Sequence, residues 1–283
     1  MVVRQRRLLC AWLSLAAPGC GQMEQQPSPT ASVAAVLDVN CPAFAVVGDP
    51  AAPAGARWSY SSTDSGTRFV IEGVLFAPAG TGPFPAVLLS HGAGGLPSSY
   101  SASLARPMVG FGLVAIATRY THAADPDGRN ASLSPAGPDG ASEANVSRAR
   151  KTRDLLSCLG SVDLSRVAAH GHSMGAFVTA EVLGTFPDAF RAGSHTAGGT
   201  SSGQNATRPA TAQRIRTPYQ LHHGDADAVV AIQQDQNLDA ILAANAVPHE
   251  FHRYPGLGHE QMAMHPLMLE RVREWYARHG VIR

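Results

Sequence analysis

A single α/β domain built on a mostly parallel, doubly wound sheet, with helices on both faces, is the fold class this sequence predicts. Three observations predict it. Strand-like and helix-like segments alternate from about residue 56 to the C-terminus, with no internal repeat and no second break in composition. The run Phe84-Pro85-Ala86-Val87-Leu88-Leu89-Ser90 is apolar without alternation, as a strand covered on both faces must be. Gly171-His172-Ser173-Met174-Gly175 stands between the apolar run Val167-Ala168-Ala169 and a helix-like stretch from Ala176 to Phe186, which makes it a sharp strand-to-helix turn.

The first residues stand outside that domain. Arg4, Arg6 and Arg7 precede an apolar stretch, Leu8 to Ala17, too short to span a bilayer, so residues 1–20 read as an export signal. Its end, Ala16-Ala17-Pro18-Gly19-Cys20, is similar to the lipobox of bacterial lipoproteins, although Ala17 stands where that pattern prefers Leu. The expectation is a protein outside the cytosol: periplasmic, held at the outer membrane through a lipidated Cys20, or secreted. Residues 21–55, rich in Pro, Ala, Gln and Ser, read as a tether and an N-terminal arm, and residues 56–283 as the α/β domain. Without the three leader arginines the formal charge of +1 becomes about −2, and no basic patch points to nucleic acid. Once Cys10 and Cys20 are set aside, Cys41 and Cys158 remain as a pair. They form either a disulfide between the arm and a helix or two buried thiols, with Cys158 at an apolar helical position.

Within the domain, Arg57 to Ser61 and Thr67 to Ala77 alternate in the manner of strands around the turn Asp64-Ser65-Gly66, an antiparallel start. The buried-type strand Phe84 to Ser90 runs into the glycine-rich segment His91-Gly92-Ala93-Gly94-Gly95. Helical patterns near Tyr100 to Val109 and Ser142 to Leu159 alternate with strands at Leu113 to Thr118 and Val167 to Ala169. Beyond the pentapeptide come strands at Phe190 to Ser194, Tyr219 to His222 and Glu250 to Tyr254, with helices at Ile232 to Ala244 and Leu267 to Arg278. Residues 121–141 and 197–216 are long loops after strand ends, where an open α/β sheet places its ligand crevice, and are candidate pocket walls. Asp125, Asp127 and Asn130 in the first lack a properly spaced glutamate for calcium, and no metal or cofactor is assigned.

The pentapeptide has the form of a nucleophile elbow: glycines on both sides of Ser173 allow strand and helix to approach while the hydroxyl stays exposed. A serine hydroxyl is a poor nucleophile at neutral pH, so it needs an imidazole to take its proton and an acid to orient that imidazole. Two later segments follow strand ends on the same rim: His223-Gly224-Asp225-Ala226-Asp227-Ala228-Val229-Val230 and Pro255-Gly256-Leu257-Gly258-His259-Glu260. They supply an acid and then a base in the chain order such a site uses.

With these motifs the chain resembles the α/β-hydrolase superfamily across residues 66 to 280, and within it the dienelactone-hydrolase-like and polyester-hydrolase-like serine esterases. The resemblance implies an α/β-hydrolase fold without a large lid and a carboxylic ester hydrolase that works without a cofactor. It puts Ser173 as nucleophile, Asp227 of the His-Gly-x-x-Asp-x-Val-Val segment as triad acid, and His259 of the Gly-x-Gly-His segment as base. Asp225 is the rival acid, with bracing of the loop as its alternative role. The oxyanion donors implied are the backbone N–H groups of Met174 and Ala93. His91 and His172 flank the site in positions that shape loops, and the pairs His222/His223 and His249/His252 lack the setting of a metal site.

Serine at 173 disfavours hydrolases with a cysteine nucleophile, and the residues before Arg57 are too few for the accessory domain of prolyl-oligopeptidase-like peptidases. Small-molecule or polymeric esters are the expected substrates. Against a polyester hydrolase, the loop Ser194-His195-Thr196-Ala197-Gly198-Gly199 lacks the Trp those enzymes place there. A small peptidase or amidase of this fold, and a non-catalytic binding protein built on it, are the remaining readings. No oligomeric state is predicted.

Overall fold

The computed structural model describes residues 38–125 and 128–283. The leader, Cys20 and the tether up to residue 37 lie outside the described residues, as does Asp127 of the acidic loop. A helical turn, Cys41–Ala43, leads into β1 (Phe44–Val47), which pairs antiparallel with β2 (Ala56–Asp64), and β2 with β3 (Thr67–Phe76). Then follow β4 (Phe84–Ser90), α1 (Ala102–Gly110), β5 (Val114–Thr118), α2 (Glu143–Leu155), β6 (Val162–His172) and α3 (Met174–Thr185). The C-terminal part carries β7 (Ala192–Thr196), the short α4 (Pro209–Ala212), β8 (Tyr219–Gly224), α5 (Gln233–Ala244), β9 (His249–Tyr254), the one-turn α6 (His259–Met262) and α7 (Pro266–Arg278).

The nine strands of the described residues form one sheet in the order β1-β2-β3-β5-β4-β6-β7-β8-β9, antiparallel as far as β5 and parallel beyond it. In β4, Ala86 and Leu88 join one apolar cluster with α2, α3 and α5 residues, while Val87 and Leu89 join another with residues of α1 and α7. Successive side chains point to opposite faces, so a run without polar alternation is what two covered faces require. Among the described residues no helix is long and apolar enough to cross a membrane.

Several elements differ from the sequence reading; the short α4 lies in residues 197–216, read as a loop, and the one-turn α6 starts at His259. β1 was not foreseen, because Phe44-Ala45-Val46-Val47, though apolar throughout, is four residues long and has no alternation to mark a strand. The elbow strand β6 is much longer than Val167–Ala169; its first half is only partly covered and carries Asp163, Ser165 and Arg166, which hide it. The helix drawn to Leu159 tightens at Leu156 into a 3-10 turn that holds Cys158. Cys158 is bonded to Cys41, with Cα atoms 5.4 Å apart, which decides between the two readings of that pair.

Helix α2 is buried along nearly its whole length although it is rich in charge. Such burial is costly unless the charges are paired or hydrogen-bonded; Arg150, Lys151, Arg153 and Asp154 form ion pairs, while Arg148 donates to the Arg119 and Pro135 carbonyls. Asp154 accepts from Arg150 Nε at 2.8 Å and Arg153 Nη1 at 3.0 Å. Lys151, the sequence's only lysine, lies 3.0 Å from Asp64 of β2 and donates to the Asp38 carbonyl at 2.7 Å.

Candidate active site

The turn after β6 is built around a strained residue. Ser173 has φ 55° and ψ −123°, a region that residues with a Cβ seldom occupy. Its neighbours must be glycine for a different reason, close approach. A Cβ on Gly171 would sit 2.2 Å from the Gly175 carbonyl oxygen, and one on Gly175 would sit 2.1 Å from that of Ser90. The Ser173 N–H donates to the Thr196 carbonyl at 3.0 Å, which ties the elbow to the end of β7.

β8 and β9 end on the same rim and deliver the next two groups. The Ser173 hydroxyl donates to His259 Nε2 at 2.9 Å, and His259 Nδ1 donates to Asp227 Oδ2 at 2.7 Å. A carboxylate can only accept, so the His259 proton sits on Nδ1 and Nε2 is left free to receive. The other oxygen of Asp227 accepts from the Val229 and Val230 N–H groups at 2.8 and 2.9 Å. Burial works to raise the Asp227 carboxyl, but the His259 bond and the two backbone N–H groups outweigh it and hold it below the usual carboxylate value. Asp225 turns elsewhere: it accepts from the Gly256 N–H at 2.6 Å and braces the acid loop against the loop that carries the histidine.

The segment His91–Gly95 lies against the serine, since a Cβ on Gly92 would be 3.2 Å from Ser173 Cβ. Ala93 stands in the turn closed by the Gly95 N–H on the Gly92 carbonyl at 3.2 Å, and the Gly94 N–H donates to the His122 carbonyl at 2.8 Å. His91 pins the segment from below: Nδ1 donates to the Gly92 carbonyl at 2.9 Å and Nε2 accepts from the Tyr120 N–H at 3.2 Å. Burial pushes that imidazole down to about 3, so it stays neutral. Met174 opens α3, and its N–H is among the donors that a helix's first turn leaves without a partner in the helix.

His172 packs beside His259, ring centroids 4.8 Å apart, with Nδ1 bonded to Thr196 Oγ1 at 2.8 Å. Burial, then the neighbouring His259, push it down to about 3. With His259 and Glu260 it forms a group whose ligand-type atoms lie within 4.8 Å of one another. Both nitrogens of His259 are already engaged by Ser173 and Asp227, so no metal role is assigned to this group.

Sequence reasoning missed the buried charges behind the acid. Asp235 of α5 is fully buried between His195 and His223, 2.6 and 2.7 Å away, and these partners, with burial opposing them, hold its carboxyl down at about 2. Its position in the first turn of a helix reads in sequence as an ordinary dipole-favoured acid. His223 was weighed only as half of a metal-type doublet. The two long loops meet beside α3, where the Ala141 N–H donates to the Asn205 carbonyl at 2.9 Å and Ala141, Phe177, Ala206 and Val230 form a small apolar cluster. A cavity of about 380 Å³ lies elsewhere, between Trp58, Glu72, Leu96 and Arg119, and none of Ser173, Asp227 and His259 lines it.

Residues 71–266, well over half the chain, match the model of the dienelactone hydrolase family. The chain belongs to that family. It is a carboxylic ester hydrolase with the α/β-hydrolase fold. No curated protein matches it. Among solved structures it is similar to the S-formylglutathione hydrolase of Agrobacterium tumefaciens, at 14% identity and TM-score 0.59, covering 83% of this chain and 99% of that one. It is also similar to a thermophilic esterase of Thermogutta terrifontis solved with propionate bound, at 17% identity and TM-score 0.60, covering 79% and 94%. A cold-adapted esterase from an Arctic intertidal metagenomic library gives 17% identity and TM-score 0.61, covering 81% and 95%. At such identities the likeness is one of fold.

Proposed function

We propose that this member of the dienelactone hydrolase family is a serine esterase acting outside the cytosol on small carboxylic esters, through an acyl-enzyme on Ser173. The observation that carries the reading is the unbroken chain from Ser173 Oγ to His259 and on to Asp227, at 2.9 and 2.7 Å, on a serine held at positive φ. Ser173 Oγ attacks the ester carbonyl carbon as its proton passes to His259 Nε2, and a tetrahedral oxyanion forms. The N–H groups of Met174 and Ala93 stabilise that oxyanion. The C–O bond to the alcohol then breaks as His259 returns the proton to the leaving oxygen. Water repeats the sequence on the acyl-enzyme, with Asp227 ionised throughout.

Short acyl groups are favoured by the Thermogutta esterase structures with propionate and with butyrate bound. The Cys41–Cys158 disulfide supports a site of action in an oxidising compartment, in keeping with the leader. Attachment through Cys20 is part of this reading: wild-type protein should enter the detergent phase of Triton X-114 and Cys20→Ser should not. The main test is hydrolysis of p-nitrophenyl esters from acetate to dodecanoate. The expected outcome is highest kcat/KM at two to four acyl carbons and loss of turnover in Ser173→Ala; a preference for the longest chains would contradict it.

A further inference from the structure

His223, at the end of β8, is completely buried and has an acceptor on each ring nitrogen. Nδ1 faces Asp235 Oδ2 at 2.7 Å and Nε2 faces the Val230 carbonyl at 2.9 Å. A carbonyl has no hydrogen to give, and a neutral imidazole has only one N–H. With Asp235 ionised, both bonds form only if His223 carries two protons and a positive charge. His195 on the other side differs: Nε2 donates to Asp235 Oδ1 at 2.6 Å, while Nδ1 faces the Tyr219 hydroxyl at 2.5 Å, which has a proton to donate. One N–H therefore satisfies both bonds of His195, so the hydrogen-bond pattern demands a second ring proton only of His223.

That cation reaches the catalytic centre. His223 Nε2 is also 3.5 Å from Asp227 Oδ2, the oxygen that accepts from His259. Charges thus alternate along a line from Asp235 to His223 to Asp227, with His259 at its end. We propose that His223, kept as an imidazolium by Asp235, is a positioning residue of the catalytic centre that holds Asp227 ionised from behind and sets the acidic limb of the pH–rate profile. The inference rests on the reading of Ser173, His259 and Asp227 as the triad.

The physical effect is one of competing fields. A carboxylate beside an imidazole stabilises its protonated form, and a cation on the far side of that carboxylate partly cancels the pull. His223 lies above its ordinary value: burial pushes it down, and the Asp235 hydrogen bond and charge more than reverse this. The groups facing His223 are Asp235 from α5 and Asp227 from its own loop, with His195 of β7 behind Asp235. Those facing His259 are Asp227, Glu260 on its own turn, and His172 of β6, which stays neutral because burial and His259 push it down to about 3.

Asp235→Asn separates charge from structure. The amide oxygen still accepts from His195, the amide NH2 donates to His223 Nδ1, and a neutral His223 still donates to Val230, so every hydrogen bond survives while the ion pair is gone. With p-nitrophenyl acetate, the acidic limb of the kcat/KM profile should move upward by roughly half to one pH unit, with KM little changed. His223→Gln should move it in the same direction. A limb that stays in place in folded Asp235→Asn overturns the inference. A direct check uses wild-type protein labelled with 15N-histidine at pH 7.5, the His223 signals being assigned through the His223→Gln variant. Both ring nitrogens should show protonated shifts, and a singly protonated ring overturns the inference even if Asp235→Asn fails to fold. Activity that survives Ser173→Ala would overturn the triad reading and this inference with it, whereas a normal triad with an unmoved limb overturns the inference alone.

Discussion

At the scale of single residues, the chemistry depends on which of two aspartates meets His259. Asp227 has one oxygen on the histidine and the other on two backbone N–H groups, whereas Asp225 spends its carboxylate on Gly256. Asp227→Asn should lower kcat by about 10⁴-fold, because an amide NH2 toward Nδ1 favours the wrong tautomer. Asp225→Asn should cost less than about tenfold, since an amide oxygen still accepts from Gly256. Steady-state kinetics of the two variants checks this, and equal losses would contradict it. The pair was separable in sequence only by its place in the His-Gly-x-x-Asp segment, because both acids follow one strand end. Asp235 was beyond such a reading: its meaning comes from His195, on a strand three elements earlier, and no local pattern marks the meeting.

At the scale of elements, the elbow and the arm were legible to different degrees. Gly171, Ser173 and Gly175 are visible in sequence because steric demands permit few residue types there, and Gly175→Ala, driving a Cβ into the Ser90 carbonyl, should abolish activity or folding. The strand of the arm was not legible, since β1 is held by pairing with β2 and by a covalent bond rather than by an apolar stripe. That bond spans 117 residues, a loop long enough for the chain-entropy model to give about 5 kcal/mol. The double variant Cys41→Ser/Cys158→Ser should therefore melt roughly 5–15 °C lower by calorimetry while keeping kcat near wild type. Unchanged melting would show that Lys151, with Asp64 and the Asp38 carbonyl, suffices to hold the arm.

For the molecule as a whole, a mostly parallel sheet with a common rim followed from the alternation of elements, but the strand order and the protonation of the interior did not. Burial pushes His91, His170 and His172 each down to about 3. In the unfolded chain each takes a proton near 6.5, so the stability they lend is full above that value and falls with pH down to about 3. Three such groups correspond to roughly 4 kcal/mol per pH unit between 6.5 and 3. His223, raised instead, contributes fully below 6.5 and loses its contribution as pH rises, so it adds nothing further in that window. Asp235, depressed to about 2, begins to lose its contribution only below 3.8. The melting temperature should drop by about 10 °C or more between pH 6.5 and pH 5, and a flat profile there would contradict the account of a neutral-histidine interior. Ser173 is proposed as the nucleophile of an intact triad with His259 and Asp227. The most direct test of that assignment is reaction of the folded protein with a fluorophosphonate, followed by peptide mass mapping. A single stoichiometric adduct on Ser173, absent from Ser173→Ala and strongly slowed in His259→Ala, is predicted; folded protein that stays unlabelled, or an adduct on another residue, would contradict it.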